Sequence, residues 1–157
     1  YVGFRFKKIG GVSAGLTAFA ALFLDVFTTF FICSIFRLQI DSNFMAVILT
    51  ILGYSLNDTI VIYDRVRENK SLYPTMPTAD LVNLSVNTVK TRTFVTTVTT
   101  FIAVVMILVV SEFFGLSTLR SFAIPMAFGI VSGCISSLFI SAPLWVLWKN
   151  RKSKKVR

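Results

Sequence analysis

The 157-residue sequence contains no histidine, only two cysteines and only seven acidic residues, and just 15% of it is charged. Without histidine, Ser-His-Asp and Cys-His nucleophilic catalysis, imidazole metal sites and the commonest biological proton carrier are excluded. Any proton movement must therefore use carboxylates. Cys33 and Cys134 each lie inside a long apolar run, so they read as buried free thiols. A soluble domain carries about 25% charged and about 45–50% apolar residues, whereas 55% of this chain is hydrophobic. The composition excludes an ordinary soluble globule and a disordered chain, and points to a membrane. A formal charge of +9 raises the question of nucleic acid, yet Phe occurs 16 times against four Tyr. That bias suits lipid-facing bulk better than base stacking, so membrane lipid is an expected partner and nucleic acid is not.

What is abundant is long apolar runs. A helix rises about 1.5 Å per residue and the hydrocarbon core is about 30 Å thick, so each crossing needs about 20 apolar residues. Four segments qualify: residues 10–36, 44–63, 93–114 and 116–148. The last would reach about 50 Å, so its first turns, around Arg120 and before Pro125, are expected in the interface or strongly tilted, with a kink at Pro125. Residues 149–157 form a basic tail, read as a topology determinant that contacts anionic lipid.

Of the 16 basic residues, only Arg37 and Arg120 fall on one side of these spans. The other 14 lie before the first span, between the second and third, and after the fourth. The positive-inside rule then places both ends of the chain and residues 64–92 in the cytoplasm. Within 64–92, Pro74 and Pro77 interrupt any helix, and Thr78 followed by Asp80 resembles an N-cap with an acid in the first turn. A helix is expected to restart near Ala79, with an apolar side of Leu81, Val82, Leu84, Val86 and Val89, and to run on into the third span. The opening residues Tyr1, Val2, Gly3 and Phe4 show neither a Met nor the order of a signal peptide, as expected of a piece of a longer chain.

A charge near the bilayer centre costs at least about 2.5–3.5 kcal/mol, so each ionisable residue inside a span needs a reason. Asp25 lies near the middle of the first span, with Thr28, Thr29, Ala18, Ala21 and Leu22 on its face. Asp58 lies toward the cytoplasmic end of the second span, preceded by Asn57. Helical spacing gives two adjacent polar stripes, Gly53, Asn57, Ile60 and Asp64 beside Tyr54, Asp58, Val61 and Arg65, which predicts a broad polar face turned to the protein interior. The candidate counter-charge for Asp58 is Arg92, on a stripe with Thr96, Thr99 and Ala103 that suits close packing and water. Because side chains tilt toward their helix N-terminus, contact needs a deeper Arg92 or a bridging water; the alternative is that Arg92 snorkels to lipid phosphate. A carboxylate that meets water in one conformation and arginine in another can take up and release a proton. The competing reading is a static pair that fixes helix register, and both stay open for Asp58 and Asp25. Gly129, Gly133, Ser137 and Ser141 form a small-residue ridge for helix packing. Asp64, Arg65, Arg67 and Glu68 form a charged helix end.

The run from Gly53 to Asn69, GYSLNDTIVIYDRVREN, closely resembles the signature of the SecF family of protein-export membrane subunits. Asp25-Val26 in the preceding span, the KTRT stretch from Lys90 to Thr93 and the small-residue last span add to the resemblance, which covers nearly the whole chain. It implies an all-α integral membrane protein whose four transmembrane helices are the last four of a six-helix half-transporter bundle, with residues 1–9 the end of the preceding span. It also implies work with SecD beside the SecYEG translocon, with YajC or YidC as further partners, on a translocating preprotein in the bacterial cytoplasmic membrane. The family belongs to the resistance-nodulation-division class, in which proton movement between two pseudo-symmetric halves drives the outer domains.

By matching positions, the resemblance implies a proton pathway through Asp58 and Arg92, with Asn57 and Asp25 as further candidates. Gly53, Tyr54, Ser55, Asp64, Arg65, Arg67 and Glu68 are carried over as motif or structural positions. The family often has His before the aspartate of the preceding span, where this chain has Leu24, which weakens a relay role for Asp25. Neither covalent catalysis nor a cofactor or metal is expected. The coupling ion is the proton by default, with sodium open. The alternatives are half of a related proton-coupled exporter, or a structural subunit whose buried charges only set register.

Overall fold

The computed structural model describes residues 10–38, 40 and 42–155, with side chains described through Lys149. The expected end of a preceding span at residues 1–9, and most of the basic tail's side chains, lie outside the described residues. The helices are α1 (Gly11–Ile35), α2 (Ser42–Leu72), α3 (Thr78–Phe114), α4 (Ser117–Ile135) and α5 (Ala142–Lys155). A π-helical segment, Ser136–Ser141, joins α4 to α5 into one rod. No strand occurs among the described residues. Four stretches are long and apolar enough to cross a membrane: Gly11–Ile35, Ser42–Leu72, Thr78–Phe114 and Ser117–Lys149.

Each helix forms for the reason hydropathy predicts, but helix and hydrocarbon do not end together. At 31 residues α2 is about 47 Å long, so it continues past Tyr63 to Leu72 after leaving the apolar slab. Leu72 is followed by Pro74 and Pro77, and the chain turns there. The restarted helix runs unbroken into the third span, as expected. Its cap is Pro77, with no side-chain hydrogen bond, so Thr78 is the first helical residue and not the cap. At the opposite end Gly115, at φ 66°, closes α3 in a left-handed conformation that glycine adopts without strain. The expected irregularity of the last span falls after Pro125, through which α4 is continuous, at residues 136–141. Pro143 supplies a cause. Its ring crowds the carbonyl four residues back, that of Phe139, and a widened turn makes room.

The rods pack so that α2 and α4 each touch both α1 and α3, while α1 and α3 flank them. α1 makes this close approach possible with a stripe of small residues, Gly11, Ala14, Ala18 and Ala21, leading to Asp25 and Thr29, all buried. Its opposite face carries Phe19, Phe23, Phe27 and Phe31, all exposed and in sequential ring contact, as expected of a lipid-facing surface. Near the 73–77 turn the core is Ile62, Tyr63, Val66, Leu81, Val82 and Trp145, and near the other end it is Val104, Ala123 and Ile130.

The small-residue ridge packs as predicted, against α2. A Cβ on Gly129 would collide with the Ile51 side chain and sit 3.2 Å from Thr29 Oγ1, and one on Gly133 would sit 3.2 Å from Ser55 Cβ. Farther down the ridge, the Tyr63 hydroxyl lies 2.7 Å from Thr17 Oγ1 and 3.0 Å from Ser141 Oγ, linking α1, α2 and the π segment. Overpacking at such a contact costs about 1–3 kcal/mol. In detergent unfolding of the full-length protein, Gly129→Ala is therefore expected to lose stability in that range. Gly53→Ala, with nothing within 4 Å of the added Cβ, is expected to lose none.

Candidate functional site

The site is built around the two intramembrane carboxylates, and the fold treats them differently. Asp25 is 0% exposed, and three hydroxyls converge on it from two other rods. Ser55 of α2 donates to Oδ2 at 2.6 Å, Ser136 of the π segment donates to Oδ2 at 2.9 Å, and Ser132 of α4 donates to Oδ1 at 3.1 Å. Thr29 donates to the Asp25 backbone carbonyl at 2.8 Å. A hydrogen bond to a charged group contributes about 1.5–3 kcal/mol, so this cradle compensates much of the burial and clamps three rods together. No cation belongs to it among the described residues.

Asp58 is 5% exposed, and its Oδ2 is buried without a hydrogen-bond partner among the described residues. Ser55 and Asp58 are three residues apart on α2, so Asp58 lies within one helical turn, about 4.5 Å of axis, of the serine that holds Asp25. Arg92 lies within electrostatic reach of Asp58 but forms no ion pair with it. The arginine is exposed and lines an open cleft of about 440 Å³ with Val61, Asp64, Arg65, Glu68, Thr88 and Val89. Val61 is one turn beyond Asp58, so this cleft leads from the basic end of the bundle almost to the buried carboxyl.

The expected interior polar face requires correction. Asp58 and Ser55 do face inward, but Gly53 and Asn57 are exposed, as are Thr96, Thr99 and Ala103 beside Arg92. The polar stripe is wider than the surface that α1, α3 and α4 can cover, so its outer edge remains open in this chain. Thr28, expected beside Asp25, also points outward and bonds back to the Leu24 carbonyl. Tyr54 donates to Thr97 Oγ1 at 3.2 Å, fixing α2 against α3. Arg65 pairs with Glu68 at 2.7 Å, and Arg67 is exposed, consistent with a charged helix end. Asn69 of the motif is buried and donates to Ser85 Oγ at 2.8 Å, a second link between α2 and α3. Ser132 and Ser136 were not anticipated. Their signal is a pair of hydroxyls four residues apart beside the small-residue ridge.

The protein-export membrane protein SecD/SecF C-terminal family matches residues 1–151. The chain is 42% identical over 160 residues to the protein translocase subunit SecDF of Bacillus subtilis, covering 99% of this chain and 20% of that protein. It is 44% identical over 153 residues to the protein translocase subunit SecF of Sebaldella termitidis, covering 97% of this chain and 47% of that one. A crystal structure of SecDF in its super-membrane-facing form superposes with a TM-score of 0.87 at 38% identity, over 99% of this chain and 20% of that one. The chain thus spans about half or less of the length of these relatives.

The contrast between the carboxylates is open to measurement. In detergent unfolding of the full-length protein, Ser136→Ala is expected to lose about 1.5–3 kcal/mol as one donor to a buried carboxylate disappears. Asp58→Asn, which removes no hydrogen bond, is expected to leave stability unchanged or raised.

Proposed function

Because this chain belongs to the SecD/SecF C-terminal family of protein-export membrane proteins, we propose that it is the membrane portion of a SecF-type subunit that uses the proton gradient to promote preprotein translocation and release. The observation that carries this reading is the Asp58 carboxyl, buried with a partnerless oxygen one turn from a cleft that holds an unpaired Arg92. A proton arriving at Asp58 neutralises a buried carboxylate whose Oδ2 has no hydrogen-bond partner among the described residues. Movement of Arg92 toward the carboxylate then forms an ion pair and releases the proton to the other side. Asp25, held by three serines, transmits the resulting motion of α2 to α1 and the last rod through Ser55.

The exposed edge of Gly53, Asn57, Thr96 and Thr99 is the surface for the second half of the transporter, SecD, as a separate or fused chain. SecYEG, and YajC or YidC, are reached through parts of the complete complex. The chain lies in the bacterial cytoplasmic membrane with its basic end in the cytoplasm. It performs no covalent chemistry and uses no cofactor, and its coupling ion is the proton.

The test is preprotein release from proton-energised vesicles carrying the full-length protein and its partners. Asp58→Asn and Arg92→Ala are each expected to abolish the acceleration that the gradient gives, while gradient-independent release persists. Normal gradient dependence in both variants would sink the proton-coupling proposal and leave the family assignment standing.

A further inference from the structure

A second feature of the molecule lies away from both carboxylates. Between α3 and the last rod runs a cavity of about 670 Å³, within the volume range of small-ligand sites, about 300–1,000 Å³. Thr97 and Cys134, both buried, form its floor, and Phe94, Phe101 and Phe139 line it while remaining exposed. The lining is almost wholly apolar except at one end, where Lys90 stands. Lys90 is exposed and uses one of its three donors on Asn87 Oδ1 at 3.0 Å, leaving the others available.

Position along the helix identifies what fits. From Lys90 to Phe101 the α3 axis rises about 16 Å, close to half of the roughly 30 Å hydrocarbon core. Lys90 precedes the apolar stretch of α3 and therefore sits at headgroup level. The groove thus begins at the membrane surface on the side of the 73–77 turn and ends near the midplane, the reach of one leaflet. We propose that this groove binds one acyl chain of an anionic phospholipid in that leaflet, with the lipid phosphate held by Lys90. Charge complementarity at the mouth and an apolar trough of leaflet depth select this occupant over a helix of a partner protein, which would not end at the midplane. The site is independent of ion coupling, since neither Asp58 nor Arg92 lines it.

The experiment uses the full-length protein with its partners in phosphatidylcholine vesicles doped with a phosphatidylglycerol probe that carries a diazirine on its acyl chain. A phosphatidylcholine probe of the same chain serves as comparison, and adducts are mapped by mass spectrometry. Adducts are expected to concentrate at Phe94, Phe101, Val131 and Phe139, with about a fivefold preference for the anionic probe, the advantage a single lysine gives at an anionic surface. Lys90→Gln is expected to erase the preference and retain labelling. Val131→Trp, which fills the trough, is expected to remove groove adducts while labelling of the Phe19–Phe27 face persists. Equal labelling around all four rods would show ordinary annular lipid and overturn the proposal. An unlabelled groove would show that a partner helix covers it and overturn the proposal equally.

Discussion

A carboxylate near the middle of a hydrocarbon slab has no water to stabilise it, so the protein must bring polar partners from more than one helix. Asp25 meets that demand with Ser55, Ser132 and Ser136, and the requirement organises the rest of the bundle. For Ser55 to reach, α2 must press against α1, which the small-residue stripe from Gly11 to Thr29 permits. For Ser132 and Ser136 to reach, the last rod must lie in the groove between α1 and α2, and Gly129 and Gly133 are the residues that let it. The π segment starts at Ser136, inside the cradle, and ends at Ser141 on the Tyr63 hydroxyl. The last rod is therefore pinned at both edges of its one irregular turn.

Against this fixed point, Asp58 is the exception. It lies on the same helix face as Ser55, one turn away, yet the bundle offers its Oδ2 no donor. Native chains tolerate such a group where it has work to do, because a partner present in every conformation would hold it in one charge state. The adjoining surface fits the same logic. Gly53, Asn57, Arg92, Thr96 and Thr99 are polar or small, lie at membrane depth or its edge, and are exposed in this chain. A surface of that kind is unsuited to lipid and suited to a second helical body. Under the proposed function, the uncompensated carboxyl stands beside the surface for the second half, and the compensated one stands inside this bundle.

How far the sequence revealed this follows from what each pattern reports. The four spans were legible because apolar length measures bilayer thickness directly, and the ridge of Gly129 to Ser141 because small residues at fourfold spacing have few other uses. The end of α2 was not legible, since hydropathy reports the surrounding solvent, and a helix does not stop where the hydrocarbon does. The inward sense of Asn57 was misread because a polar stripe shows that lipid is absent without showing which body replaces it. The π segment had a signal in Pro143, which competed with the more conspicuous Pro125. The three serines around Asp25 had almost none, since Ser55 is far in sequence from Ser132 and Ser136, and serine pairs at helical spacing are common in membrane helices. Asp58 and Arg92 stood out from charge scarcity, and the opposed tilt of their side chains already argued against direct contact, which the fold does not form.

The central claim is that one buried carboxyl is locked and the other exchanges its proton. Reaction of the full-length protein in membranes with a lipophilic carbodiimide, which attacks a carboxyl only in its protonated form, followed by peptide mass spectrometry, tests it most directly. The account predicts an adduct on Asp58 and none on Asp25. An adduct on Asp25, or an unmodified Asp58 across the accessible pH range, would contradict it.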